Sequence, residues 1–123
     1  MTTDADPGEF LPLSPAAFHV LIALADGDKH GYAILKDIRR RTDGRVSLSA
    51  GTLYAVVRRL LEADLIEESE ERPDPALDDE RRNYYGITAL GRRVAVAECR
   101  RMEEALSLAR AKKVGVRISR AES

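Results

Sequence analysis

The sequence predicts a mainly α fold with a small β-hairpin and one long closing helix. Four stretches repeat apolar residues at three- and four-residue steps, Ser or Thr stands at three of the helix starts, and two strand-like runs flank a Pro-containing acidic loop. At 123 residues and 13.6 kDa the chain makes one domain with a single modest core. The reading divides it into a flexible N-terminal arm (1–13), a compact unit (14–88), the long helix (89–113) and a flexible basic tail (114–123).

Ser14-Pro15 opens the first helix, a cap residue followed by proline where its missing N–H costs nothing. Its stripe is Ala17, Phe18, Leu21, Ile22 and Ala25, and Asp26-Gly27-Asp28 stops it. A second helix follows from His30 to Thr42 on Gly31, Ile34, Leu35 and Ile38, closed by Asp43-Gly44 with a residue that accepts positive φ. Arg45–Leu48 is too short to be more than a connecting strand or extended linker. Ser49 caps the third helix, whose inward positions are Ala50, Leu53, Val57, Leu60 and Leu61. Burying its large aliphatic side chains is worth about 1.5–3 kcal/mol each, which fixes the face that turns inward. Leu65–Ser69 and Arg82–Ile87 read as strands of a hairpin, and the Glu70–Arg81 loop between them holds two Pro and six acids. Thr88 caps the last helix, with Ala95, Cys99, Met102, Leu106 and Ala109 as its stripe.

Composition excludes several classes. No apolar run approaches the ~20 residues of a membrane span, and the acidic start lacks the basic segment of a signal peptide, so the expected compartment is the cytoplasm. One cysteine forbids an internal disulfide, and with two separated histidines it makes no ordinary zinc site, so neither metal nor cofactor is expected. No nucleophile, base and orienter occur together and no Gly-rich phosphate loop follows a strand, so the chain does not read as an enzyme. The net charge of −1 hides a strong segregation: 29–61 carries +6 and 81–123 carries +7, whereas 1–28 carries −5 and 62–80 carries −9.

Three helices followed by a hairpin is the element order of a winged helix-turn-helix, in which the third helix enters the DNA major groove. By subtraction, Gly51, Thr52, Ala55, Arg58, Arg59 and Glu62 point away from the core, with Tyr54 on the flank. A groove about 12 Å wide admits a helix whose leading residues are small or hydrogen-bonding, and Ser49, Gly51, Thr52 and Ala55 meet that condition. Arg58 and Arg59 behind them suit phosphates or a guanine edge.

His30-Gly31-Tyr32, Gly51-Thr52-Leu53-Tyr54, Leu65-Ile66 and Tyr85-Gly86-Ile87-Thr88-Ala89-Leu90-Gly91 together resemble the PadR-like transcriptional regulators in order and spacing, over about Leu13 to Leu108. Ala55 stands where the family usually has Pro, Asp64 where it usually has Gly, and Ala89 where an acid is common; Asp tolerates the left-handed conformation at a helix end. The resemblance implies a homodimeric repressor of the short form, a winged helix-turn-helix plus a long C-terminal dimerisation helix, on a double-stranded operator with inverted half-sites. It also implies a flat hydrophobic small-molecule effector at the dimer centre, where the absence of Trp leaves Phe18, Met102 or Leu106 to line a pocket.

The DNA-binding candidates are Tyr32, Lys36, Ser49, Gly51, Thr52, Tyr54, Arg58, Arg59 and the wing pair Arg81 and Arg82. Ser49 and Thr52 also suit a helix start, and Tyr32 and Tyr54 either donate to phosphate or lean on the core. The dimer-interface candidates are Phe18, Ala95, Cys99, Met102, Leu106 and Ala109, with Cys99 expected as a small buried hydrophobe and Met102 as ordinary core. Carboxylates at Asp74, Asp78, Asp79 and Glu80 repel phosphate, so the wing tip is expected to bend away from DNA or stay mobile. The acidic wing leaves a second reading open, a winged-helix module that binds another protein.

Overall fold

A computed structural model describes residues 5–69 and 83–114. Its elements are a 3-10 turn (Pro7–Phe10), α1 (Pro15–Ala23), β1 (Lys29–His30), α2 (Gly31–Arg41), α3 (Ala50–Glu62), β2 (Ile66–Ser69), β3 (Tyr84–Ile87) and α4 (Ala89–Ala111). The helix starts follow from the caps in the sequence. Ser14 accepts from the Ala17 N–H, Ser49 from Thr52 and Thr88 from Gly91, each satisfying a backbone donor that the first turn leaves over. Asp43 (φ 53°) and Gly44 (φ 79°) turn the chain out of α2, and Asp64 (φ 63°) turns it out of α3. Arg45–Leu48 is the extended linker, not a strand.

The hairpin is part of a three-stranded antiparallel sheet of order β1-β3-β2. Ile66 faces Ile87 and Ser69 faces Tyr84 across β2 and β3, while Lys29 and His30 pair with Tyr85 and Tyr84 on the other edge of β3. The third strand was not expected, because two residues show no period of their own. It makes β3 the central strand, and Tyr84, Tyr85 and Gly86 are all buried. The Asp28 carboxylate, bonded to the Ser69 hydroxyl, occupies the space a side chain at position 86 would need.

The core gathers α1, α3, the sheet and the first half of α4 around Val20, Leu21, Leu24, Ile34, Leu53, Leu65, Ile66 and Val94. Two predicted faces need correction. In α1, Val20, Ala23 and the capping Leu24 are buried while Phe18 and Ile22 are half-buried and Ala25 is exposed, because α1 packs against α2, α3 and α4 and is covered nearly all round. In α3, Val56 replaces Ala50 at the core; Ala50 is exposed and Leu61 half-buried, so the buried stripe is rotated toward Leu53, Val56, Val57 and Leu60.

The segment expected as a free arm is docked over its latter part. The 3-10 turn lies against α4, and Phe10, Leu11 and Leu13 pack on the core. The buried carboxylate of Glu98 accepts from the Leu13 backbone N–H and from Arg101 Nε at 2.7 Å and Nη2 at 2.9 Å. That hydrogen bonding, with Arg101 the stronger influence, holds the carboxyl below the ordinary glutamate range despite burial. Asp37 is the other buried carboxylate, gripped by Arg41 Nε at 2.9 and 3.1 Å, and Arg41 reaches on to Asp26 in the α1–β1 turn. This ties α2 to α1.

Candidate nucleic-acid interface

Burying Leu53, Val56, Val57 and Leu60 turns Gly51, Thr52, Arg58, Arg59 and Glu62 to the surface, and all five are exposed, whereas Ala55, expected on the same outer face, is half-buried beside Val56. Neither Arg58 nor Arg59 makes an ion pair among the described residues. Gly51 is informative, since a Cβ added there meets nothing within 4 Å. No packing among the described residues calls for a glycine, which is a poorer helix former than alanine. The Ser49 hydroxyl accepts from the Thr52 N–H and donates to the Thr52 hydroxyl, both at 3.1 Å, so the two residues together form the exposed leading edge of α3.

Tyr54 is at once exposed and packed within the chain. Its side chain is 46% exposed, yet its hydroxyl sits where a side chain at position 31 would be, and Gly31 leaves it the space. The His30-Gly31-Tyr32 and Gly51-Thr52-Leu53-Tyr54 motifs are therefore two sides of one contact between the starts of α2 and α3. Tyr32 is 60% exposed beside it, with Lys36 Nζ 5.2 Å from its ring centre. Beneath, burial pushes the Tyr85 phenol up from its ordinary value, offset in part by a hydrogen bond with Asn83. The structure thus brings Tyr32, Lys36, Ser49, Gly51, Thr52, Tyr54, Arg58 and Arg59 to the exposed surface of α2 and α3. Arg81, Arg82 and the acidic tip lie outside the described residues.

The long helix departs from expectation along its stripe. Ala95 is buried against its own domain, Cys99 is exposed and so is Met102 at 38%, while Leu106 and Ala109 are half-buried. α4 runs past the body of the domain after Glu98, and among the described residues no other element covers Cys99 or Met102. Sequence reasoning missed His30 as the α2 cap; its Nδ1 accepts from the Ala33 N–H at 3.2 Å, and the side-chain oxygen that usually marks a cap is absent.

A helix-turn-helix pair backed by a small sheet, with a basic exposed face on the second helix of the pair, defines a winged helix-turn-helix protein. The family profile of the transcriptional regulator PadR-like family matches residues 20–97, and the chain belongs to that family. It is 34% identical over 73 residues to an uncharacterised protein from Lysinibacillus sphaericus, spanning 59% of this chain and 64% of the length of that relative. It is similar in structure to a transcriptional regulator from Clostridium thermocellum, at 25% identity and a TM-score of 0.67, covering 94% of this chain and 100% of that one. Bacillus subtilis PadR in complex with operator DNA shares the fold at 17% identity and a TM-score of 0.57, over 70% of this chain and 47% of that one. No described helix is long and apolar enough to cross a membrane.

Proposed function

We propose that the chain is a homodimeric, sequence-specific DNA-binding repressor that places α3 in the major groove. The observation that carries the reading is the outer face of α3, where Gly51 opens on empty space, Thr52 is exposed and Arg58 and Arg59 follow without carboxylate partners among the described residues. Backbone approach at Gly51 and bidentate arginine contacts are what a base-reading helix needs. Tyr32, Lys36, Ser49 and Tyr54 contact flanking phosphates, and the α3 N-terminus favours the same anions. The operator-bound Bacillus subtilis relative supports the reading by its likeness of fold.

The second half of α4 supports a dimer. A helix of 23 residues is about 35 Å long, and beyond Glu98 its exposed Cys99 and Met102, with half-buried Leu106 and Ala109, form the part that a second copy covers. Phe18, half-buried on α1, borders the same interface, and a flat hydrophobic effector that releases DNA lies between the two copies. Two third helices about 34 Å apart match successive major grooves, so the operator is an inverted repeat. The test is a mobility-shift assay on a duplex from the chain's own upstream region at two salt concentrations. Affinity falls with a log–log slope of about −0.9 per neutralised phosphate, and Arg58→Ala with Arg59→Ala weakens it at unchanged melting temperature. Binding that ignores salt, or an unaltered affinity in the double variant, removes α3 from the interface.

A further inference from the structure

His30 is an odd choice of helix cap. Ser, Thr, Asn or Asp would satisfy the same backbone donor with a shorter side chain, so the imidazole must be judged by what else it touches. Its ring meets Tyr84 of the buried central strand edge-on, with centres 5.2 Å apart and planes at 88°. On the solvent side it lies nearly parallel to the Tyr32 ring, at 6.4 Å and 5°. Tyr32 in turn lies under Lys36 Nζ at 5.2 Å. The contacts form one series from the sheet to the surface: Tyr84, His30, Tyr32, Lys36. Tyr84 is buried and fixed by pairing on both edges of β3, whereas Tyr32 and Lys36 are exposed side chains with several rotamers.

We propose that His30 is a positioning residue that holds Tyr32, and through it Lys36, in the orientation that meets a DNA phosphate. The inference rests on the assignment of Tyr32 and Lys36 to the DNA interface given above. One side chain does two separable things: Nδ1 caps α2, and the ring face stacks against Tyr32. Side chains already held in their bound rotamers lose less entropy on binding, so the stacking contact is read out as affinity more than as stability.

Two substitutions separate the roles. His30→Asn keeps a cap acceptor and removes the ring; His30→Phe keeps a ring and removes the acceptor. Fluorescence anisotropy with a labelled duplex from the chain's own upstream region is the assay, with a melting curve for each variant. His30→Asn weakens binding by about three- to tenfold, the range expected when one or two side chains must be ordered on binding, and the lost edge contact with Tyr84 lowers its melting temperature by only a few degrees. His30→Phe melts earlier and binds within about twofold of the parent once folded, since the ring that orients Tyr32 remains. In a Tyr32→Ala background, His30→Asn has no further effect, because the residue through which it acts is gone. Without DNA, the Tyr32 ring resonances shift in His30→Asn and stay near their parent positions in His30→Phe.

If Tyr32→Ala weakens binding but His30→Asn does not, or the two losses add, the positioning role is overturned while the DNA reading stands. Tyr32 ring resonances unmoved by His30→Asn overturn it independently of any DNA. If Tyr32→Ala and Lys36→Ala both bind as the parent does, it is the assignment of those two residues to the interface that fails.

Discussion

Gly31→Ala has a sign that two opposing effects decide. Alanine is the better helix former by up to about 1 kcal/mol, so on local grounds the substitution stabilises. The added Cβ, however, overlaps the Tyr54 hydroxyl, lies 2.9 Å from Tyr54 Cζ and 3.4 Å from Leu53 Cδ2. Carbon pairs settle at about 3.5–4.0 Å, so Tyr54 has to move. Overpacking of this kind costs about 1–3 kcal/mol, and because Tyr54 is half-exposed it relieves part of the strain by swinging toward solvent. The net is a loss of about 1–2 kcal/mol, a fall in melting temperature of about 4–10 °C for a domain of this size. Thermal unfolding by circular dichroism at fixed protein concentration measures it. In a Tyr54→Ala background the obstacle is gone and the same substitution becomes neutral or stabilising. A Gly31→Ala protein as stable as its parent, or a cost that persists without the Tyr54 ring, would refute the contact.

The remaining predictions concern the carboxylates Glu98, Asp26 and Asp37 and the long helix. Glu98 titrates below the ordinary range in the folded chain, chiefly through Arg101, and Asp26 does so through Lys29. A depressed folded value contributes stability that is complete above the unfolded value of about 4.3 for Glu or 3.9 for Asp and is lost as pH falls through the folded one. Stability is therefore level in this respect above about pH 5 and declines on acidification, and Glu98→Gln flattens that decline in a pH series of urea melts. Asp37→Ala lowers stability by about 1–3 kcal/mol in the same assay, since a buried acceptor of two Arg41 bonds is removed while Arg41 regains water. In the proposed dimer, Met102→Asp raises the dissociation constant at least about tenfold by sedimentation equilibrium.

Much of this architecture was legible because local signals and core burial agree. Ser14, Ser49 and Thr88 cap the helices that their sequence positions announce, and the outward face of α3 came from subtracting the aliphatic residues. What stayed hidden depends on partners distant in sequence. Lys29 and His30 become a strand only because Tyr84 and Tyr85 arrive to pair with them. Asp37 and Glu98 look like solvated charges until Arg41, Arg101 and the Leu13 N–H are seen to satisfy them. Cys99 and Met102 carry the right period for a buried stripe, but period reports a face and not the body that covers it. Gly31 marked a helix start in the sequence; its reason, the Tyr54 hydroxyl, lies on another helix.

In the proposed function the exposed side of α3 meets DNA. Its most direct test is a titration of isotope-labelled protein with a duplex from its own upstream region, followed by amide chemical shifts. Gly51, Thr52, Ala55 and Arg58, together with Tyr32 and Lys36 on α2, are expected to move most, with the far side of α1 unchanged. Perturbations confined to α4 or the sheet, with α3 silent, would contradict it.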